Sequence, residues 1–368
     1  MRIAVDGYEL VTPVTGVGRV TESLLAELAR LMPETDFPVL LREKGRTFPE
    51  PNIRSLPLLP DRGYFRWQNG PFRSKWRALK ADLMLATNYT LPLRPPGRSL
   101  LFVHDISFVS HPEWYGRREA LKRRWLVDHS LRCCRLAVTD SRFSRDEIRR
   151  RFPAAAGKVR VVYPGLDSRF RPSDTGTVDA WKARRGLTGQ RVIGYLGSIF
   201  NRRHVPELCA AVELLRREMP ECRLMVVGRD LTKPARDLAC LGRDWIIHRE
   251  TIPDEELPVF YSALDAFAYL SEYEGFGLPP LEALGCGTVP VLLDRTSLRE
   301  VYSKAAFMVD SPDPLRIRDA LKRALTDPAA VRERLDGFED MGSRLTWRRA
   351  ASEVADLIRE ILSDRGEG

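Results

Sequence analysis

The sequence predicts an α/β protein built of two doubly wound domains that face each other across a cleft. Three observations predict it. The 368 residues exceed what one ordinary hydrophobic core accommodates. Short β-rich apolar runs alternate with amphipathic helical patterns throughout, as in parallel sheets covered by helices on both faces. The stretch Arg171-Pro172-Ser173-Asp174-Thr175-Gly176-Thr177 reads as a linker and separates two such series. The expected domains are therefore 1–170 and 171–345. A last helix, within 346–368, either closes the second domain or crosses back onto the first.

In the first series the strand candidates are 3–5, 37–41, 83–86, 100–103, 136–139 and 159–162. The helix between the first two carries Val20, Leu24, Leu28 and Leu31 on one stripe, the spacing of a single buried face. Another helix opens at Ser144, where Ser144-Arg145-Asp146-Glu147 has the form of a capping box. The second series begins with strand 192–196 and a helix carrying Val205, Leu208, Val212 and Leu215. Strands 224–227, 245–247, 266–270 and 289–293 follow, and the last helix aligns Trp347, Ala351, Val354, Ile358 and Ile361. In open α/β sheets ligands sit beyond the carboxyl ends of the strands, so function is sought there.

Composition narrows the class. Hydrophobic residues at 43% and charged residues at 30% describe a globular chain, not a disordered or fibrous one. Met1-Arg2-Ile3-Ala4-Val5-Asp6 reaches an acidic residue too soon for a secretory signal, and no apolar run is long enough to span a bilayer. Six cysteines without a C-x-x-C pair make neither a disulfide nor a zinc framework, so a cytoplasmic location is expected. The net charge of +9 is uneven: residues 1–170 hold 30 basic and 18 acidic side chains, a net +12, and the remainder 29 and 32, a net −3. Such a basic half fits an anionic partner (lipid headgroups, a pyrophosphate-linked acceptor or nucleic acid) or simply solvated arginine-rich helix faces.

The sharpest local feature is Glu274-Gly275-Phe276-Gly277-Leu278-Pro279-Pro280-Leu281-Glu282, after a strand and at the start of a short helix. Glycines let a backbone approach closely, and free N–H groups at a helix start attract phosphate. Glu274 before the loop and Glu282, expected in the first helical turn, bracket those amides, and carboxylates accept hydrogen bonds from sugar or ribose hydroxyls. The alternative is a tight strand-to-helix turn in which Glu282 only complements the helix dipole.

This segment resembles the signature of the retaining family 4 glycosyltransferases (glycosyl transferases group 1, GT-B architecture, mannosyltransferase-like). Their pattern is E-G-F-G-L-P, a second glutamate eight positions after the first, then A, G and P-V. The chain continues Ala283-Leu284-Gly285-Cys286-Gly287-Thr288-Val289-Pro290-Val291, with a slightly altered tail. The resemblance implies two Rossmann-like domains, with Glu274 on the donor sugar, Glu282 on the ribose, and the amides of Phe276, Gly277 and Leu278 on the diphosphate.

A second family segment, like Y-V-G-T-L-E-P-R-K-N, is matched by Tyr195-Leu196-Gly197-Ser198-Ile199-Phe200-Asn201-Arg202-Arg203-His204. Arg202 matches its arginine and Arg203 replaces the usual lysine; a fixed cation here stabilises a departing phosphate. By the same resemblance Gly16 and Gly18, in Gly16-Val17-Gly18-Arg19, approach the donor phosphates, and His104 faces the donor sugar. A histidine beside the carboxylate of Asp105 would be held in one tautomer, ready to bond a hydroxyl. A dinucleotide-binding turn is excluded, because ten residues separate Val5 from Gly16 and Thr21 stands where a third glycine belongs. Further matches, among them His111-Pro112-Glu113-Trp114-Tyr115 and Tyr163-Pro164-Gly165-Leu166-Asp167, extend the similarity from about residue 1 to 350.

The expected activity is retaining, metal-independent transfer of a hexose, with mannose favoured, from a GDP- or UDP-linked nucleotide-sugar to a glycan or lipid-linked glycan acceptor. No Asp-x-Asp follows a strand in a setting suited to a metal-diphosphate, and no cofactor or nucleic acid is expected. An epimerase or sugar phosphorylase on the same scaffold, or a basic nucleic-acid-binding protein, is the alternative. Arg62-Gly63-Tyr64-Phe65-Arg66-Trp67 and Phe72-Arg73-Ser74-Lys75-Trp76-Arg77 interleave aromatics with cations. That pattern suits peripheral contact with an anionic membrane at the inner face of the cytoplasmic membrane, a single-strand nucleic-acid platform, or ordinary packing.

Overall fold

A computed structural model describes residues 1–11, 15–59, 63–95, 97–232 and 238–363. The chain divides into two compact units, Met1–Gly165 with Leu345–Gly368, and Leu166–Arg344.

The first unit is a seven-stranded parallel sheet of β1 (Ile3–Asp6), β2 (Phe37–Leu41), β3 (Ile53–Pro57), β4 (Leu83–Ala86), β5 (Ser99–Phe102), β6 (Leu136–Thr139) and β7 (Val159–Val161). Its order is β3-β2-β1-β4-β5-β6-β7, so Val5 lies between Val39 and Leu85. Every residue of β1, β2, β4, β5 and β6 is buried, because helices cover both faces. The helix Gly16–Leu31 buries Val20, Leu24 and Leu28, while Leu31 is only half-buried. Against it packs the helix Trp347–Ser363, burying Trp347, Ala351, Val354, Ile358 and Ile361; each full apolar burial contributes about 1.5–3 kcal/mol.

Capping at the helix Arg142–Arg151 departs from expectation. The cap is Ser141, whose extended backbone lets its hydroxyl accept the Ser144 N–H at 3.1 Å. Ser144 is inside the helix, and its own hydroxyl donates to the carbonyl of His104.

The second unit holds β8 (Arg191–Leu196), β9 (Cys222–Val227), β10 (Ile246–Arg249), β11 (Ala266–Tyr269), β12 (Pro290–Leu293) and β13 (Phe307–Val309), ordered β10-β9-β8-β11-β12-β13 and all parallel. Counted from β8, this is the 3-2-1-4-5-6 order of doubly wound folds, with the strand order reversing between β8 and β11. The expected linker is shorter than its composition suggests. Asp174 caps a helix, Thr175–Ala183, by accepting the Thr177 N–H, and that helix anchors itself through the buried Trp181.

Candidate active site

The strand-order reversal between β8 and β11 is where such sheets bind ligands, and the predicted residues of the second unit gather there. Beyond β8 the chain turns at Gly197, whose φ of +136° is a glycine conformation. A Cβ at that position would come within 2.5 Å of Arg203 Nη1, so glycine also makes room for the guanidinium. Arg203 ends the 3-10 turn Asn201–Arg203, donates from Nη1 to the Ser198 carbonyl at 3.1 Å and from Nη2 to Glu274 Oε1 at 3.0 Å. Tyr269, the last residue of β11, donates its hydroxyl to the same carboxylate oxygen at 2.9 Å. The Arg203 and Glu274 side chains are only 13% and 16% exposed.

Burial alone would raise the Glu274 pKa, but the charges of Arg203 and Arg202 hold it below the ordinary carboxylate range. Burial works equally against the Arg203 cation, and the influence of Tyr269 and Glu274 outweighs it, leaving its pKa above the ordinary value. Arg202 lies beside this pair, its guanidinium 4.3 Å from the centre of the Phe200 ring.

The Glu274 backbone is pinned from the next loop. Its N–H donates to Thr296 Oγ1 at 3.3 Å, and Ser297 Oγ donates to its carbonyl at 2.7 Å. Thr296 holds φ at +47°, rare for a β-branched residue, and such strain clusters at functional sites. Gly277, with φ +92°, caps the helix Leu278–Gly285 without any side-chain cap, and its carbonyl accepts the Tyr302 hydroxyl at 2.7 Å. Phe276 is buried edge-on against Tyr302. Because Pro279 and Pro280 have no N–H, Leu278 and Leu281 are the amide donors of the first four helical positions.

Glu282 is not in the first turn, as its distance from the loop suggested, but is the fifth residue of the helix. It is 4% exposed, and its Oε2 accepts the Tyr261 hydroxyl at 2.8 Å. A buried carboxylate one turn into the helix is placed to accept hydrogen bonds, not to complement the dipole at the surface.

In the first unit His104 follows β5 and is 6% exposed. The expectation of one tautomer beside Asp105 is corrected. Nδ1 lies 2.8 Å from Asp140 Oδ2 and Nε2 lies 3.0 Å from the Thr87 carbonyl. Both partners are acceptors, an arrangement that favours the doubly protonated ring. Burial pushes the pKa down, but the Asp140 carboxylate and the Thr87 carbonyl outweigh it and the net direction is up. Asp105 is occupied elsewhere, accepting the Ser107 N–H and the Tyr89 hydroxyl.

Gly16 and Gly18 also differ. Gly16 opens its helix in open space, where an added Cβ would meet nothing within 4 Å, whereas a Cβ on Gly18 would overlap the Glu9 carbonyl. Gly18 therefore serves close packing, and its N–H is capped by Thr15 at 2.9 Å.

The aromatic–cation stretch is split between core and surface, with Phe65, Arg66 and Arg77 exposed. Trp67 and Phe72 are core residues, and the Tyr64 hydroxyl donates to Asp6 at 2.7 Å. Burial pushes the Asp6 carboxyl up to about 6 against the lowering effect of hydrogen bonds from Tyr64 and Tyr8. Packing accounts for Tyr64, Trp67 and Phe72; Arg62 lies outside the described residues.

Sequence reasoning missed Tyr269, Tyr261, Thr296 and Ser297, and gave Asp140, part of the family match Thr139-Asp140-Ser141, no role. Tyr269 alone had a local signal, standing at the end of a strand and five residues before Glu274. Tyr261 and Asp140 act across 21 and 36 residues of chain, where no spacing rule reaches.

Comparison with known proteins follows the two units. The model of Glycosyltransferase Family 4 matches residues 14–170, and that of Glycosyl transferases group 1 matches residues 178–337. The chain is 30% identical over 265 residues to the O-antigen chain mannosyltransferase B of Escherichia coli, covering 70% of this chain and 69% of that protein. It is 29% identical over 413 residues to the serotype-specific mannosyltransferase WbdA of Escherichia coli, covering 99% of this chain and 48% of WbdA. Among solved structures, Anabaena HepE in complex with UDP and glucose aligns with a TM-score of 0.76 at 18% identity, over 98% of this chain and 100% of that one. WaaG, a glycosyltransferase involved in lipopolysaccharide biosynthesis, aligns with a TM-score of 0.76 at 15% identity, over 97% and 99%. With two Rossmann-like parallel sheets and family matches in both units, this chain belongs to the glycosyl transferases group 1 and is a glycosyltransferase of GT-B fold.

Proposed function

We propose that the protein transfers a hexose, most simply mannose from GDP-mannose, to a glycan or lipid-linked glycan acceptor with retention and without a metal. The observation that carries this reading is the Arg203–Glu274 pair beside the uncapped start of the helix Leu278–Gly285. In the proposal the diphosphate rests on the amides of Phe276, Gly277 and Leu278, Glu282 takes the ribose, and Glu274 takes the sugar hydroxyls. Arg203, Arg202 and the helix start neutralise the charge that grows on the leaving phosphate, so the protein supplies what a metal otherwise would. The bond from the anomeric carbon to the phosphate oxygen breaks as the acceptor oxygen bonds on the same face. The acceptor proton passes to the leaving phosphate oxygen.

Mannose is supported by the relatives named above, and a UDP-linked sugar is the alternative donor. Thermal-shift measurements with GDP-, UDP- and dTDP-sugars in the presence of chelator test the donor. GDP-mannose is expected to raise Tm most, and no shift with any of them contradicts the proposal.

The acceptor side is proposed to meet an anionic membrane from the cytoplasmic face. No described helix is long and apolar enough to cross a membrane. The helix Arg117–Cys133, however, carries six basic and two acidic residues and exposes Leu121 at 67% and Trp125 at 57%. Apolar anchors among cations are what a lipid headgroup layer binds. Co-sedimentation with vesicles of graded anionic-lipid content is its test.

A further inference from the structure

We propose that His204 is a positioning residue: its imidazole, set between Glu272 and Glu207, ties the turn bearing Arg203 to the loop bearing Glu274 and so aims Arg203 at the leaving phosphate. This rests on the donor-site reading above.

The position is unusual in conformation and in residue type. His204 is the N-cap residue of the helix Val205–Arg216 and has φ +50°, a left-handed conformation in which asparagine, aspartate and histidine are enriched. The family pattern carries asparagine there, a residue that also tolerates the left-handed backbone. The imidazole belongs to this chain, and it is 13% exposed.

Its contacts reach across two loops. Nε2 lies 2.8 Å from Glu272 Oε1, a hydrogen bond, and Nδ1 lies 3.5 Å from Glu207 Oε1, an ion-pair contact too long for one. The Glu272 N–H also donates to the Arg202 carbonyl at 2.9 Å. Glu272 stands two residues before Glu274, and His204 follows Arg203 directly. Side chains thus join the same two loops twice, by Arg203–Glu274 and by His204–Glu272, beside that one backbone bond. Loss of His204–Glu272 leaves one side-chain tie and the backbone bond to hold the guanidinium in register.

Titration gives the tie a pH range. Burial pushes the imidazole down, but Glu207 and Glu272 outweigh it and raise it to about 9. The other charged groups around it are Arg295, 3.7 Å from Glu272, and Arg202 and Arg203 of its own turn. A folded pKa above the free value means that the interaction is complete below about pH 6.5 and is lost as pH rises through about 9.

The test is kcat and donor KM from pH 6.5 to 10 for the wild type, His204→Asn, His204→Gly and, as a control, Arg203→Ala. Asparagine and glycine keep the left-handed backbone and remove the charge, and circular dichroism at the assay temperature checks that each is folded. At pH 7.5 the expected result is a fall in kcat of about tenfold for both His204 variants, with donor KM within about twofold. The wild-type decline near pH 9 disappears in them, and added imidazole restores part of the His204→Gly rate. An unchanged kcat with Arg203→Ala impaired overturns the positioning role alone, as does a pH 9 decline that persists in the variants. A fully active Arg203→Ala overturns both this inference and the donor-site reading beneath it.

Discussion

Arg203→Ala and Glu274→Ala are each expected to lower turnover at least about a hundredfold, the size of effect seen when one preorganised charge or donor is removed from a developing transition state. Each substitution also leaves its partner as an unpaired buried charge, which costs about 3–5 kcal/mol of stability. Stability and catalysis are separated by the double variant. Removing both charges spares the orphaned partner, so Arg203→Ala/Glu274→Ala is expected to melt higher than either single variant while regaining no turnover. Arg203→Lys keeps a cation where the family pattern carries lysine and is expected to stay within about tenfold of the wild type, the loss reflecting the missing second donor to the Ser198 carbonyl. Steady-state kinetics on folded protein checks all four. A near-wild-type rate in either single alanine variant contradicts the assignment.

Vesicle binding is expected to rise with anionic-lipid content and to fall with salt, since interactions of exposed charges are screened over about 8–10 Å. Each Lys or Arg near such a surface contributes about 1 kcal/mol, so replacing Arg118 and Lys122 together by alanine is expected to weaken binding roughly thirtyfold. Arg123 and Arg132 are poorer choices, because each already faces an acidic residue one turn away, Glu119 and Asp128. Trp125→Ala removes the interfacial ring that stacks on His129 and is expected to weaken binding at every salt concentration. Binding that ignores lipid charge, or that survives these substitutions, contradicts the membrane contact.

The central strands were legible because strands buried on both faces read as unbroken apolar runs, and those of β2, β4 and β6 agree residue for residue with expectation. The edges were not. β3, Ile53–Pro57, buries only Ile53 fully and ends in proline, and β13 is three residues long, so neither stands out from loop. The helix Thr175–Ala183 was hidden for a related reason: it buries only Trp181, leaving no apolar stripe to read. In the site, local spacing carried Glu274, the glycine turn and the two arginines to one strand-order reversal. The pairing of His104 was not legible, because an adjacent Asp105 suggested itself while the sheet delivers Asp140 from the end of the next strand. Charge asymmetry pointed to an anionic partner but not to its place, since the aromatic–cation stretch that suggested one supplies core residues such as Trp67 and Phe72.

The central claim is that a nucleotide-sugar diphosphate rests at the start of the helix Leu278–Gly285, between Glu274 and Glu282. A crystal structure of the protein soaked with GDP-mannose measures this directly. The expected density has phosphate oxygens within hydrogen-bonding distance of the Leu278 N–H and the Arg203 guanidinium, with the ribose hydroxyls on Glu282. A nucleotide bound elsewhere, or an Arg203–Glu274 pair left untouched by a fully occupied donor, contradicts it.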